Sequence, residues 1–218
     1  MENCKGLRRL LSISWIYVFF QNLTGAHRAQ TWIANNLWSV NEGDKVVDIG
    51  CGPGSALDYL PRNIKYVGFD ISKDYVASAK KQYSKRNNTI FFVSSVHSLL
   101  RKDDPRLVDA DFVICNGLLH HLNDTEAIEV LQLANEILKP GGRFISMEPT
   151  FLTHQSKFSR WLMNQDRGRN IRTEQQWKSL MSSTFKEFTT NILINLLRVP
   201  YILIFIEGTK VENKKQKA

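Results

Sequence analysis

At 218 residues and 25.1 kDa, with 43% hydrophobic residues, the chain can bury the core of one domain carrying a small cap. Its three cysteines, Cys4, Cys51 and Cys115, stand alone without CxxC or metal-ligand spacing, which argues against a disulfide framework and a metal module and for a reducing, cytoplasmic setting. The net charge of +8 suggests an anionic partner, whether nucleic acid, a phosphorylated metabolite or an acidic membrane, although part of it sits in a polar tail at Lys210, Lys214, Lys215 and Lys217.

Residues 5–20 imitate a secretory leader, with Lys5, Arg8 and Arg9 ahead of an apolar run from Leu10 to Phe20. The stretch that follows offers no small-x-small cleavage site, and the run falls short of the ~20 residues that span a bilayer. The expectation is two short helices, the second over Ala26–Trp38, making an N-terminal lid of residues 1–40. Basic residues beside aromatics keep a peripheral membrane contact open for the first helix.

Asn41-Glu42-Gly43-Asp44 reads as a turn and Lys45–Ile49 as a buried strand. A helix over about Ser55–Leu60 ends before Pro61. A second strand, Tyr66–Phe69, closes on Asp70, and Ser72 can cap a helix running to about Tyr83. Strands follow at Thr89–Val93 and Asp111–Asn116. Ile128, Leu131, Ala134, Ile137 and Leu138 give a helix over Thr125–Leu138, which Lys139-Pro140-Gly141-Gly142 stops before a strand at Arg143–Met147. This alternation predicts an α/β, Rossmann-like doubly wound sheet with helices on both faces. Beyond Pro149 the rhythm breaks into a polar, Arg-rich cap over about 150–173. A helix at Glu174–Met181 and strands at Phe185–Leu193 and Tyr201–Glu207 then bring the total to seven strands. The domain is placed at 41–209, with a basic flexible tail at 210–218.

The stretch Val46–Gly54, VVDIGCGPG, is a strand running into a glycine turn, the arrangement that brings backbone N–H groups close to a nucleotide. Asp48 decides between nucleotides. A carboxylate at the strand end would repel a pyrophosphate, at a cost of roughly 4 kcal/mol for like charges ~4 Å apart. It would welcome a cationic nucleoside. The third glycine also follows the second after one residue, unlike GxGxxG.

VVDIGCGPG, YVGFDIS, DFVICNGLLHHLND and ILKPGGRFISMEP, in that order, resemble successive motifs of the class I S-adenosylmethionine-dependent methyltransferases over 45–149. The resemblance implies S-adenosyl-L-methionine as cofactor. Its sulfonium and ammonium would suit Asp48, and Gly50, Cys51, Gly52 and Gly54 would leave room for methionine and ribose. Asp70 would accept from the ribose hydroxyls, and Ile71 would lie against the adenine. Ser95 stands where relatives often carry an Asp for the adenine amino group, while Val96 can still offer its backbone N–H. Asn116 and Gly117 would flank the methionine part. His121 and His120 would face the acceptor, as candidate general bases. Because His120 replaces the acid of an acid–histidine metal pair, no metal is expected.

Arg167, Arg169 and Arg172 in the cap could clamp a phosphate or carboxylate, or form structural ion pairs. The leading expectation is methyl transfer to an O or N atom of a small, anionic metabolite or glycan precursor, as in small bacterial methyltransferases. A nucleic-acid methyltransferase fits the charge, but no NPPY- or DPPY-type motif and no RNA-binding module is present, so nucleic acid is disfavoured as partner. A non-catalytic, S-adenosylmethionine-binding regulatory protein is the third reading. Oligomeric state is not legible.

Overall fold

A computed structural model of the chain describes residues 26–102, 104–166 and 168–212. The first expected helix and most of the basic tail therefore lie outside the described residues. The chain begins with α1 (Ala26–Ile33), which passes into a π-helical turn at Ala34–Trp38. Then come β1 (Lys45–Ile49), a 3₁₀ turn (Ser55–Tyr59), β2 (Lys65–Asp70), α2 (Lys73–Gln82), β3 (Thr89–Val93) and the single turn α3 (Val96–Leu99). β4 (Ala110–Ile114), a 3₁₀ turn at Leu119–His121, α4 (Asp124–Ile137) and β5 (Leu138–Phe151) follow. The last third holds α5 (Lys157–Met163), β6 (Arg172–Thr173), α6 (Glu174–Ser182), β7 (Glu187–Leu193) and β8 (Leu203–Thr209).

The strands lie in the order β3-β2-β1-β4-β5-β8-β7, with β6 paired to the end of β5. β3 to β5 are parallel, and β8 runs antiparallel between β5 and β7. The expected seven strands are thus the continuous path, and the two-residue β6 is an eighth that no periodicity could announce. β5 is longer than the expected Arg143–Met147. Its register against β4 shifts between Ala110 and Phe112, so the Pro140–Gly142 stretch loops out of an otherwise continuous strand.

Alternate residues of each strand point to opposite faces, which gives two cores. On one face Val47, Ile49, Val67, Phe69 and Val113 pack with Leu131 of α4 and Trp177 and Met181 of α6. On the other, Val46, Tyr66, Phe112 and Ile114 pack with Ile33 and Trp38 of the N-terminal helical segment and Val76 of α2. Arg143 fastens that segment: its guanidinium bonds Glu207 through two nitrogens and donates to the carbonyls of Leu37 and Trp38. The carbonyls at a helix end have no partner within the helix, so this contact satisfies them and holds 26–38 to the sheet.

α4 is the most strongly specified helix. Asn123 and Glu126 form a reciprocal capping box, and Ala127, Val130, Leu131, Ala134 and Ile137 make its buried stripe. Among the described residues no helix is long and apolar enough to cross a membrane.

Candidate functional site

The carboxyl ends of β2, β1 and β4 lie side by side, and the winding direction of the sheet reverses between β1 and β4. Ligands of doubly wound sheets bind in the crevice outside such a reversal. The glycine turn opens there. Gly50, Gly52 and Gly54 all have positive φ, and a Cβ on Gly50 would come within 2.7 Å of Leu118, whereas one on Gly52 would meet nothing within 4 Å. Gly52 is the open edge of the turn.

The turn's backbone is braced from within. Gly50 and Cys51 donate their N–H groups to the Phe69 carbonyl at 2.9 and 3.0 Å. Asp70 accepts from Gly52 N at 3.0 Å and Ser72 N at 2.8 Å, one bond on each carboxylate oxygen. Each of those oxygens keeps a lone pair for a further donor. Ile71, beside it, is 76% exposed, a large apolar side chain standing at the crevice without a cover.

Asp48 sits beneath the turn with 3% of its surface exposed. Tyr66 Oη donates to it at 2.5 Å, and its register neighbour on β2 is Gly68, where a Cβ would collide with the Tyr66 ring at 2.9 Å. Glycine at 68 thus makes the space in which Tyr66 reaches the carboxyl. Burial pushes Asp48 up to about 7, the Tyr66 hydrogen bond pulls it back, and the charge of Asp70 adds to the rise. A carboxyl in this state gains from a cation. At the end of β4, Asn116 Oδ1 is buried with no hydrogen-bond partner. Buried amide oxygens are rarely orphaned, so this one marks a place for a donor. Ser95, by contrast, caps α3: its Oγ accepts from Ser98 N at 3.2 Å.

Beside the crevice stand two carboxylates, Glu148 and Asp166, that the sequence motifs do not single out. Glu148, at the end of β5, is fully buried and accepts from the backbone N–H groups of Leu118, Leu119 and His120 at 3.1, 3.1 and 3.2 Å. It also lies 2.6 Å from His120 Nδ1. The other ring nitrogen, Nε2, is 3.3 Å from Asp166 Oδ1. Burial works against charge on His120, but the hydrogen bonds and charges of Asp166 and Glu148 outweigh it and push the ring up to about 9. Burial would raise Asp166 too, yet His120, the Tyr201 hydroxyl and Gly168 N hold its carboxyl well below the usual carboxylate range.

This arrangement corrects two expectations. His120 is 6% exposed with both ring nitrogens engaged by carboxylates, so it links segments and has no free nitrogen to act as a base. Arg172 is 5% exposed. It pairs with Asp124 at 2.7 Å and donates to the carbonyls of Leu119, Leu122 and Asn170, so it braces the fold and cannot clamp a substrate. His121 is exposed, its ring centroid 4.1 Å from that of His120. Arg169 is exposed on the cap, and Arg167 lies outside the described residues. Ligand atoms of His120, His121 and Asp166 fall within 4.8 Å of one another. A cation there would have to displace the His120 proton first.

Residues 47–144 match the family model described as a methyltransferase domain. Over that stretch the chain is similar to methyltransferase domains. Among curated relatives it is 31% identical over 115 residues to an uncharacterized methyltransferase of Schizosaccharomyces pombe, covering 50% of this chain and 39% of that one. It is 30% identical over 146 residues to juvenile hormone acid O-methyltransferase of Bombyx mori, covering 62% and 51%. The chain therefore spans about half or less of the relatives it matches. A solved structure, phosphoethanolamine N-methyltransferase 2 of Haemonchus contortus with phosphomonomethylethanolamine and S-adenosylhomocysteine, shares the fold with a TM-score of 0.70 at 14% identity, over 94% of this chain and 59% of that one.

Proposed function

We propose that this methyltransferase domain binds S-adenosylmethionine in the β2–β1–β4 crevice and moves its methyl group to an O or N atom of a small, anionic acceptor. The observation that carries the reading is the pairing of a buried Asp48, poised near neutrality, with the orphaned Asn116 Oδ1, on either side of a glycine turn open at Gly52. One group favours a cation and the other a hydrogen-bond donor, and the sulfonium cofactor's amino-acid end offers both. Bound there, the cofactor supplies an electrophilic methyl group with a neutral leaving group.

The chain's own residues bind and orient. Asp48 and Asn116, with Gly117 beside it, face the amino-acid end. The free lone pairs of Asp70 accept from the ribose hydroxyls, Ile71 becomes covered by the adenine, and Val96 N–H meets the ring. Ser95 stays with its cap. Aligning acceptor and methyl can supply ~7–11 kcal/mol, and a base about 10²–10⁴-fold. His121, exposed beside His120, is the base candidate. The exposed Arg169 would hold the acceptor's anionic group.

The test is transfer of tritium from methyl-labelled cofactor into size-fractionated small-molecule and RNA pools, beside calorimetry of cofactor binding. Label in small anionic compounds supports the reading, label in RNA overturns the acceptor class, and binding without transfer to either pool overturns catalysis. Because Asp48 must ionise to meet the cation, affinity should rise as pH passes upward through about 7 and binding should release a proton, seen as a buffer-dependent enthalpy.

A further inference from the structure

α5 presents two faces of opposite character. Ser159 and Met163, one turn apart, point inward and are 3% and 0% exposed. Ser159 Oγ donates to the Pro200 carbonyl at 2.5 Å, which ties the helix to the loop leading into β8. The outward side carries Lys157, Phe158, Arg160 and Trp161. Phe158 and Trp161 are 60% and 54% exposed and stack on each other, centroids 5.9 Å apart and planes 19° apart. The loop beyond Pro200's contact adds Ile194, 59% exposed, and an exposed Arg198.

Two large aromatic rings held parallel in water are not explained by the domain's own core, since both clusters leave them out. Their charged surroundings say what covers them. Neither 152–165 nor 194–201 contains an Asp or Glu, while together they hold His154, Lys157, Arg160 and Arg198. Such a surface is repelled by a basic partner and matches an anionic one that is apolar just beneath its charge. Trp and Phe at the level of the headgroups, flanked by Lys and Arg, are the side chains that suit a bilayer interface.

We infer that the outward face of α5, with the adjoining 194–200 loop, is a docking surface for an anionic lipid bilayer. The docked helix would lie flat, Phe158 and Trp161 entering the headgroup layer and Lys157, Arg160 and Arg198 meeting lipid phosphates. Met163 is three residues from Asp166, which contacts His120, so docking brings the acceptor side of the crevice to the membrane. The inference does not depend on which molecule is methylated.

The experiment is co-sedimentation of the full chain with sucrose-loaded vesicles, one set of phosphatidylcholine alone and one with added phosphatidylglycerol, for the wild type and for Phe158→Ser/Trp161→Ser. The expected result is binding to the anionic vesicles that weakens with salt, and a loss of about tenfold or more in the double variant, from the two large apolar side chains it no longer buries. Lys157→Gln/Arg198→Gln should bind less to anionic vesicles while leaving thermal unfolding unchanged, and circular dichroism of each variant checks that it is folded. Equal binding by wild type and the double aromatic variant would overturn the inference and assign any membrane contact to residues 5–20. No vesicle binding, with a dimer that the double variant dissolves in light scattering, would overturn it in favour of a second copy of this chain.

Discussion

The donor side and the acceptor side of the crevice hold their charged groups in opposite ways. On the donor side, Asp48 has one hydrogen bond and Asn116 Oδ1 none, so the groups are underpaired and ready for a ligand. On the acceptor side, Glu148, His120, Asp166 and Tyr201 form a closed chain in which the contacts run between neighbours. The first pattern leaves polar groups unmet at the proposed cofactor site. The second fixes geometry, joining the end of β5, the 117–121 loop, the cap and the lead into β8 into one body. A low-dielectric interior raises the stakes of both, because a missing partner there is costly and a present one is rigid.

Breaking the closed chain should have the largest effect. Glu148→Gln leaves the protonated His120 without its closest counter-charge and three backbone donors with a weaker acceptor. Removing one partner of a buried pair costs about 3–5 kcal/mol, so urea unfolding should show a loss of that size. A change within error would mean that the acceptor side is not held by this carboxylate.

The two sides also titrate in different windows. His120 is raised from 6.5 to about 9, so its stabilising contribution is fully present below pH 6.5 and is lost as pH rises through about 9. At 1.36 kcal/mol per pH unit the total is about 3 kcal/mol. Asp48 is raised from 3.8 to about 7, so its protonated form stabilises the fold below about 3.8 and that contribution is lost as pH rises to 7. Both slopes descend, but Asp48→Asn should remove only the lower one and His120→Asn only the upper. Imidazole proton shifts measured by NMR should place His120 near 9, and Asp166→Asn should bring it down. An unshifted His120 in the wild type would break the contrast.

Asp48→Asn tests the donor side by affinity. A charge-assisted contact is worth ~1.5–3 kcal/mol, so S-adenosylmethionine should bind about 10- to 100-fold more weakly, and the dependence on pH around 7 should vanish. Unaltered binding would show that Asp48 serves the fold alone. The smallest effect is expected at Arg169→Ala. An exposed cation meeting an anionic acceptor should raise KM several-fold and leave kcat in place, whereas a fall in kcat alone would move Arg169 from holding the acceptor to orienting it.

The sequence was most readable where the site is made of neighbours in the chain. The turn after β1, Asp70 at the end of β2 and Asn116 after β4 each follow directly from a strand, and strand alternation puts their ends in one crevice. What it could not show is contact between distant segments. Glu148 stands near the end of FISMEP, where an acid in a strand whose only other polar residue from Phe144 to Pro149 is Ser146 signals a buried, partnered carboxylate. Asp166 gives no such signal, because it lies in an irregular segment where no period fixes a direction, and Tyr201, expected to open the last strand, stands just ahead of β8. Arg172 looks like its neighbour Arg169 in sequence; burial against Asp124 separates it from that exposed residue.

By itself, then, the sequence determined the succession of strands and helices and the glycine turn, since these depend on local sterics and on period. The tertiary structure decided which polar groups are free and which are tied. That distinction rests on burial and on partners far away in the chain, 48 residues for Arg172 and Asp124, and desolvation acts only once the chain has folded around them.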